Sequence, residues 1–199
     1  MASIVENKDD NTGGHVKRTS DVIRILIDVI KETEILDLSE QFCEDLIKAA
    51  PMHDLGKVGI NDKILCKPGR LTEEEFAIMQ THVLKSENLV NNILQGVEED
   101  HFIKVARNVA KYHHEKWNGN GYPEHLKEEN IPLEARIMAI ADVYDALVSK
   151  RCYKNSMSFE EAETVMLESM GSHFDPNLKQ VFILSKPKLE EYYRQNESQ

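Results

Sequence analysis

The sequence predicts an all-α protein, a single-domain helical bundle of about seven to nine helices. Apolar residues recur at helical spacing through most of the chain, and helix-capping pairs precede several of these segments. No convincing alternation of apolar and polar residues indicates β-strands, and we find no internal repeat. The 199 residues suffice for one domain with a substantial core. We predict a flexible lead-in over residues 1–14, one domain over 15–185 and a charged, peripheral tail over 186–199.

The first half of the chain contains apolar segments of helical period. A first helix carries an apolar face that runs from Val16 to Ile30. Ser39 caps a second helix, which runs into Pro51. Thr72 and Glu75 form a capping box for a further helix, which carries Phe76, Met79, His82 and Val83. We predict that a separate short helix follows over residues 89–94.

The second half contains the most apolar segment. A helix is predicted over residues 102–114, followed by a loop rich in Gly, Asn and Pro over 117–132. Residues 133–148 read as a buried helix, because apolar side chains occur there almost without interruption. A second capping box at Ser158 and Glu161 opens the next helix, and Asp175-Pro176 opens the last core helix.

Composition excludes several classes of protein. The chain has 24 Lys and Arg against 35 Asp and Glu, a formal net charge of -11, which argues against DNA or RNA as the main partner. No apolar run is long enough to span a bilayer, and the N-terminus lacks the layout of a signal peptide. The three cysteines are scattered and form no CxxC motif, so we expect a reduced, cytoplasmic protein without a thiolate zinc site.

Histidine and aspartate side chains occur at the ends of, or within, five different predicted helices. Imidazole and carboxylate are ligands of iron, manganese and zinc, and helical bundles build metal sites from side chains on facing helices. Asp142 interrupts the apolar run 137–141, where a lone buried carboxylate is costly unless it is paired or bound to a metal. The candidate ligands are His15, His53, Asp54, His82, His113, His114 and Asp142.

Cations and one aromatic residue accompany these candidate ligands. Lys57 follows the His-Asp pair, and the loop 119–123 places Tyr122 near His113 and His114, where its ring can pack on a base or sugar. Arg151 and Lys154 follow the buried helix. Each residue alone also fits an ordinary role, as a solvated helix-end cation or part of a turn.

Together these motifs resemble the HD-GYP domain, a branch of the HD phosphohydrolase superfamily. The resemblance rests on His53-Asp54-Leu55-Gly56-Lys57, on His113-His114-Glu115 followed by Gly121-Tyr122-Pro123, and on Asp142-Val143-Tyr144-Asp145. It covers residues 12–182 and implies a helical domain that hydrolyses cyclic di-GMP, a bacterial second messenger, to pGpG or GMP at a centre of two or three metal ions.

The resemblance also implies a role for individual residues. The seven candidate ligands match the family's metal ligands, and Asp54 matches the residue that bridges two ions. Lys57, Tyr122, Arg151 and Lys154 match positions that contact the substrate. Asp145 lies three residues after Asp142 on nearly the same helix face, so it is a candidate to support a ligand or to orient the active-site water. The catalytic set is therefore Asp54, Lys57 and Asp145, and the expected cofactor is two divalent ions, with iron or manganese favoured and zinc also suited.

Two residues depart from the family pattern. Asn11 stands where some members have a Glu that helps to hold a third metal, so we expect a binuclear centre. Asn118 stands where the loop usually has Asp, and its neutral side chain is expected to loosen the loop or alter its electrostatics.

Two alternatives to a cyclic di-GMP phosphodiesterase stay open. The chain could be a nucleotide-binding or protein-interaction module that turns over poorly, or an HD hydrolase for another cyclic dinucleotide. The resemblance also implies an upstream receiver or sensor domain, and a homodimer is a further expectation. No nucleic-acid partner and no membrane span are expected.

Overall fold

The computed structural model describes residues 14–96, 101–149 and 156–196, and in these ranges the protein is helical without β-strands. One isolated β-bridge joins Met170 and Phe174. Four short 3-10 segments lie between the helices, at Ala50–Met52, Leu55–Gly59, Glu128–Asn130 and Pro176–Leu178. The α-helices of the described residues are α1 His15–Thr33, α2 Glu40–Ala49, α3 Asp62–Leu65, α4 Glu73–Gln80, α5 His82–Ile93, α6 His101–Tyr112, α7 Leu133–Val148, α8 Phe159–Glu168 and α9 Lys179–Asn196. The predicted all-α class is confirmed.

The predicted capping residues begin the predicted helices. The Ser39 side chain accepts a hydrogen bond from the Phe42 amide at the start of α2. Capping boxes are complete at the start of α4 and of α8, where Glu75 and Glu161 each accept a hydrogen bond from the N-cap amide. These side chains satisfy amides that the first turn of a helix leaves unpaired.

Helix α7 lies at the centre of the core. Its bounds agree with the prediction from the apolar run, and most of its side chains are buried. It packs against α1, α6 and α8, while α9 packs on α1, and α5 packs on both α6 and the segment Leu55–Gly59. This central helix carries Asp142 and Asp145 and so brings two carboxylates into the interior of the bundle.

The chain between Glu73 and Ile93 divides differently from the prediction. The sequence suggested one helix through His82 and Val83 and a second over residues 89–94. In the structure the first helix ends before Thr81, and the second begins directly after it. There the Thr81 amide and hydroxyl both donate to the Ile78 carbonyl and close a turn, so that His82 begins α5. The apolar pattern does not reveal this break, because both helices continue the same period.

The C-terminal segment is not peripheral, contrary to the prediction from its charge. Helix α9 continues through Pro187 to Asn196, and Leu189 and Tyr193 on it are buried. The spacing of Phe182, Ser185, Leu189 and Tyr193 keeps one face of the helix against the core. Charged residues on the other face masked this pattern. None of the described helices combines the length and apolar character that a membrane crossing requires.

Candidate metal centre

The seven candidate ligands meet in the interior of the bundle. They form two groups, and within each group one nitrogen or oxygen atom per residue lies within 4.8 Å of the corresponding atoms of the other members. The first group contains Asp54, His82, His113 and His114, and the second contains His15, His53 and Asp142. Residues separated by more than 120 positions in the sequence thus come together in one polar site.

Helix ends supply most of these ligands. His15 is the first residue of α1, and His82 is the first residue of α5. His113 and His114 occupy the turn after α6, with ring centroids 4.2 Å apart, so both face the same ligand group. Their position beyond the last helical residue explains why they do not diverge as two neighbours on a helix would.

His53 and Asp54 lie between the 3-10 segments Ala50–Met52 and Leu55–Gly59. This connection packs tightly against α5 at Gly56, where a Cβ atom would lie only 2.0 Å from the His82 carbonyl oxygen. The Gly56 amide donates to Ser86 Oγ at 2.7 Å and closes the contact. The absence of a side chain at residue 56 therefore allows Asp54 and His82 to approach each other.

The two oxygens of Asp54 face different histidines. Oδ1 lies 3.3 Å from His82 Nε2 and 3.8 Å from His113 Nε2. Oδ2 lies 3.3 Å from His53 Nε2 and 3.9 Å from His15 Nε2. The carboxylate thus stands between the two ligand groups, which is the position that a bridging ligand requires.

Outer hydrogen bonds orient the imidazole rings. The Nδ1 atoms of His53, His82 and His113 lie 2.7, 2.8 and 2.9 Å from the carbonyl oxygens of Ala50, Met79 and Val109. A carbonyl oxygen can only accept, so each Nδ1 carries the proton and each neutral ring directs the lone pair of Nε2 into the site. This arrangement is typical of histidines that bind metals.

Three buried polar atoms at the centre have no hydrogen-bond partner among the described residues: Asp54 Oδ1, His82 Nε2 and His113 Nε2. All three are acceptors, and leaving such groups buried and unpaired costs about 1–3 kcal/mol each. A cation would satisfy them together. The donor set of imidazole and carboxylate, without a thiolate in either group, fits a divalent transition metal.

Charge in the second ligand group centres on His15. Its Nε2 lies 3.3 Å from Asp142 Oδ1, and its Nδ1 donates to Asp145 Oδ2 at 2.7 Å. Burial lowers the pKa of His15, but the hydrogen bonds to these two carboxylates outweigh it and raise the pKa to about 9. Burial would raise the pKa of Asp142, yet the nearby His15 holds it well below its usual range.

Asp145 is fully buried and supports His15 from behind. Its Oδ1 accepts hydrogen bonds from Arg18 Nε at 2.6 Å, from Tyr193 Oη at 2.7 Å and from Ser149 Oγ at 2.9 Å. Burial alone would raise the pKa of Asp145, whereas His15 and Arg18 lower it, so the group stays ionised. Asp145 does not contact the first ligand group, and its geometry fits the support of a ligand.

Lys57 places an ammonium group beside Asp54. Its Nζ donates to Asp54 Oδ2 at 2.6 Å, and its side chain is 19% exposed. Burial of Asp54 opposes ionisation, but the charge of Lys57 beside it holds the pKa of Asp54 well below its usual range. The carboxylate is therefore ionised and available as a ligand.

Tyr122 forms one wall of the site. Its ring centroid lies 4.9 Å from that of His114 and 6.4 Å from that of His82. The preceding Gly121 packs on the backbone of Glu115 and Lys116, where a Cβ atom would lie 2.3 Å from the Lys116 nitrogen. The loop thus fits tightly against the segment that carries the histidine pair.

Glu115 secures the same loop. Its side chain is buried, and it accepts hydrogen bonds from the amides of Glu124 at 2.7 Å and of Leu126 at 3.1 Å. Asn118, which we expected to loosen the loop, also contributes a hydrogen bond: its Oδ1 accepts from the Asn120 amide at 3.0 Å. The neutral amide oxygen therefore performs the local task that a carboxylate oxygen could perform there.

Some predicted residues lie outside the described ranges, and sequence reasoning missed others. Arg151, Lys154 and Asn11 fall in residues 1–13 and 150–155, which the structure does not describe. Arg18, Glu115 and Tyr193 act around the site but were not predicted to do so. The signal was available for Glu115, in the His113-His114-Glu115 string, and for Arg18, three residues after His15; Tyr193 carried none.

Comparison with known proteins agrees with this architecture. The HD domain family model matches residues 1–178, so the chain belongs to that family, and its predicted place in the HD-GYP branch is confirmed. A relative named probable cyclic di-GMP phosphodiesterase, from Vibrio cholerae, is 44% identical over 190 residues, which cover 94% of this chain and 43% of the relative.

Two further Vibrio cholerae proteins are informative. One, named 3'3'-cGAMP-specific phosphodiesterase 2, is 38% identical over 183 residues, which cover 92% of this chain and 33% of that protein. The crystal structure of a cyclic GMP-AMP specific phosphodiesterase, V-cGAP3, matches with a TM-score of 0.64 at 22% identity, over 95% of this chain and 49% of that one. That likeness supports the fold, and this chain spans less than half the length of each of these relatives.

Proposed function

We propose that this chain is a metal-dependent phosphodiesterase that opens the ring of cyclic di-GMP to linear pGpG and can cut again to give GMP. The observation that carries the proposal is the position of Asp54, whose two oxygens face two separate sets of histidine nitrogens. The names of the relatives support the substrate class, because they are phosphodiesterases of cyclic dinucleotides.

The proposed cofactor is two divalent ions, which the two ligand groups would hold, with Asp54 placed between these groups. Iron or manganese is favoured and zinc also suits the mixture of imidazole and carboxylate. Divalent cations in such a site lower the pKa of water toward neutrality and offset the negative charge of a phosphodiester. Elemental analysis of protein purified without exposure to air identifies the metal.

The side chains around the two groups supply binding and orientation. The ammonium of Lys57, beside Asp54, can contact a phosphate oxygen that lies over the centre. Burial and the charges of Asp54 and Asp142 raise the pKa of Tyr122, so its phenol keeps its proton and can donate a hydrogen bond. Arg151 and Lys154 are proposed to hold substrate phosphate, as the resemblance implies.

Residues around the two ligand groups hold the ligands and Tyr122 in position. Asp145 accepts a hydrogen bond from Nδ1 of His15, so a cation that displaces the proton on Nε2 would find that nitrogen directed toward it. Glu115 and Gly121 fix the loop that carries Tyr122, which places its ring against His114. We propose that Asp145 acts in this way, as a positioning residue for His15.

The second candidate substrate is 3'3'-cGAMP, since a relative of 38% identity carries that specificity in its name. Both substrates share the cyclic ring and two phosphodiesters and differ in one purine. The proposed function places the cut at the same centre in either case.

The test is incubation of metal-loaded protein with cyclic di-GMP and, separately, with 3'3'-cGAMP, with products followed by chromatography. We expect pGpG and GMP from cyclic di-GMP at a higher kcat/KM than for 3'3'-cGAMP. Asp54→Ala abolishes both reactions, whereas His101→Ala, which alters a histidine bonded to Asp45 away from the centre, retains them. Preference for 3'3'-cGAMP selects the second candidate, and tight binding without product identifies a nucleotide-binding module.

A further inference from the structure

Helix α4 contributes nothing to the core. None of its residues from Glu73 to Gln80 is buried, and two large apolar side chains, Phe76 and Ile78, are 48% and 44% exposed. Most apolar side chains of this size lie in the interior. Burial in the core therefore does not account for a phenylalanine at residue 76.

The helix is nevertheless held in place. Its capping box joins Thr72 and Glu75, and Lys67 Nζ donates to the Glu75 carboxylate at 2.5 Å. At its other end, Thr81 turns the chain directly into His82, a candidate metal ligand. The side chains of α4 are thus carried on a short, anchored segment beside the candidate metal centre.

Phe76 extends the aromatic wall of the site outward. Its ring centroid lies 6.3 Å from that of Tyr122, and the two ring planes stand at 86°. Tyr122 in turn packs on His114 at 4.9 Å. A continuous row therefore leads from the ligand His114 through Tyr122 to an exposed phenyl face.

The chemistry of this row fits a nucleobase. Aromatic faces bind bases by stacking, and each stacked base contributes about 1–3 kcal/mol in substitution experiments. A base attached through its sugar to a phosphate at the metal centre lies to the side of that phosphate. A base stacked parallel to the Phe76 ring would stand nearly perpendicular to the Tyr122 ring and would turn its own edge toward it.

We propose that Phe76 is a substrate-binding residue on whose exposed face a purine base of the substrate stacks, with Tyr122 against the edge of that base. This inference rests on the proposed function for the nature of the substrate, and it assigns the base to a residue outside the motifs of the family resemblance. A purine is the expected base because its two fused rings cover more of the phenyl face than a pyrimidine does.

The test is titration calorimetry of the metal-loaded chain with 5'-GMP and with ribose 5-phosphate, which lacks the base. We expect Phe76→Ala and Phe76→Leu to lower the affinity for 5'-GMP about tenfold or more, while the affinity of Phe76→Trp stays close to that of the wild type. Ribose 5-phosphate should bind all variants alike. Ile78→Ala is the matched control, because Ile78 is similarly exposed on the same helix.

The outcomes separate this inference from the proposed function. Unchanged 5'-GMP affinity in Phe76→Ala, or full affinity in Phe76→Leu, overturns the stacking site. Wild-type protein that binds 5'-GMP no better than ribose 5-phosphate also overturns it. Base binding through Phe76 in a protein that cuts neither cyclic dinucleotide supports the stacking site and contradicts the proposed function. Hydrolysis of cyclic di-GMP with an unchanged KM in Phe76→Ala supports the proposed function and contradicts the stacking site.

Discussion

The hydroxyl of Tyr193 donates a hydrogen bond to Asp145 at 2.7 Å, and both side chains are buried. Tyr193 belongs to the last helix, α9, whereas Asp145 lies on the central helix and accepts the Nδ1 proton of His15. The C-terminal helix is thereby linked through one carboxylate to a candidate metal ligand. Asp145 Oδ1 accepts from donors on α1, on α9 and on Ser149 directly after α7, while Oδ2 accepts from His15 Nδ1 and from Arg18 Nη2.

Removing the Tyr193 hydroxyl tests this link. We expect Tyr193→Phe to retain metal several-fold less tightly than the wild type, a smaller effect than the roughly 10- to 100-fold typical of a direct partner of a ligand. Metal content after dialysis against graded chelator gives the measurement. Tyr192→Phe is the matched control, since the Tyr192 hydroxyl bonds Asp21 instead. Equal retention by the two variants contradicts the link.

Glu115 is expected to control Tyr122 through the loop. In Glu115→Gln the amide nitrogen cannot accept, so one of the amides of Glu124 and Leu126 loses its partner, at a cost of about 1–3 kcal/mol in the free energy of unfolding. We expect a higher KM for cyclic di-GMP with unchanged metal content. Glu129→Gln, at an exposed residue of the same loop, should behave as the wild type. A KM at the wild-type value in Glu115→Gln refutes the positioning role.

Gly56 is expected to tolerate no side chain. In Gly56→Ala the new Cβ atom would lie 2.0 Å from the His82 carbonyl oxygen and 2.4 Å from the Ser86 nitrogen, both backbone atoms that cannot simply rotate away. We expect a loss of about 1–3 kcal/mol or more in the free energy of unfolding, together with weaker metal binding. Denaturant unfolding with and without metal measures both effects.

Gly59→Ala provides the control for Gly56→Ala. Its Cβ atom would meet only the flexible Lys85 side chain, at 3.0 Å. A similar loss of stability in both variants would show that the loss arises from the glycine backbone and not from the contact with His82.

His173 predicts an acid-dependent loss of stability. Burial, and to a lesser degree the charge of Lys116, lowers its pKa to about 4 from the 6.5 of an unperturbed histidine. Between these values the unfolded chain binds more protons than the folded one, so the free energy of unfolding rises with pH. The contribution of His173 is therefore complete above about 6.5 and is lost as the pH falls toward about 4.

The variant His173→Gln should flatten this dependence. We expect the metal-free variant to lose less stability than the wild type between pH 6.5 and pH 4, whatever its absolute stability. Thermal unfolding across that range is the measurement, and His125→Asn, at an exposed loop residue, is the control. An unchanged slope in His173→Gln would disprove the assignment.

Much of the fold could be predicted from the sequence, because its signals are local. The capping boxes at Thr72 and Ser158 and the apolar run over α7 mark helix starts and a core helix within a few residues. The break at Thr81 was missed because it depends on a turn that leaves the apolar period intact. The buried face of α9 was missed because its charged residues outnumber Leu189 and Tyr193.

The ligands of the candidate site could be predicted from the sequence, but the hydrogen bonds around them could not. The anomalous carboxylate of Asp142 in an apolar run, together with the ordered motifs, pointed to the residues of both ligand groups. The sequence suggested Asp145 as support for a ligand, but its pairing with His15 and with Tyr193 was not predictable, since His15 is 130 residues from Asp145 and Tyr193 lies 48 residues beyond it. Hydrogen bonds over such separations depend on the packing of α1, α7 and α9, which no local pattern encodes.

The central claim is that one carboxylate, Asp54, is shared by two metal ions between two histidine groups. Elemental analysis of anaerobically purified wild type and Asp54→Ala tests it most directly. The account predicts two divalent ions per wild-type chain and the loss of both in Asp54→Ala, because the carboxylate oxygens face both groups. Two ions retained by Asp54→Ala, or a wild-type chain that binds none, would contradict it.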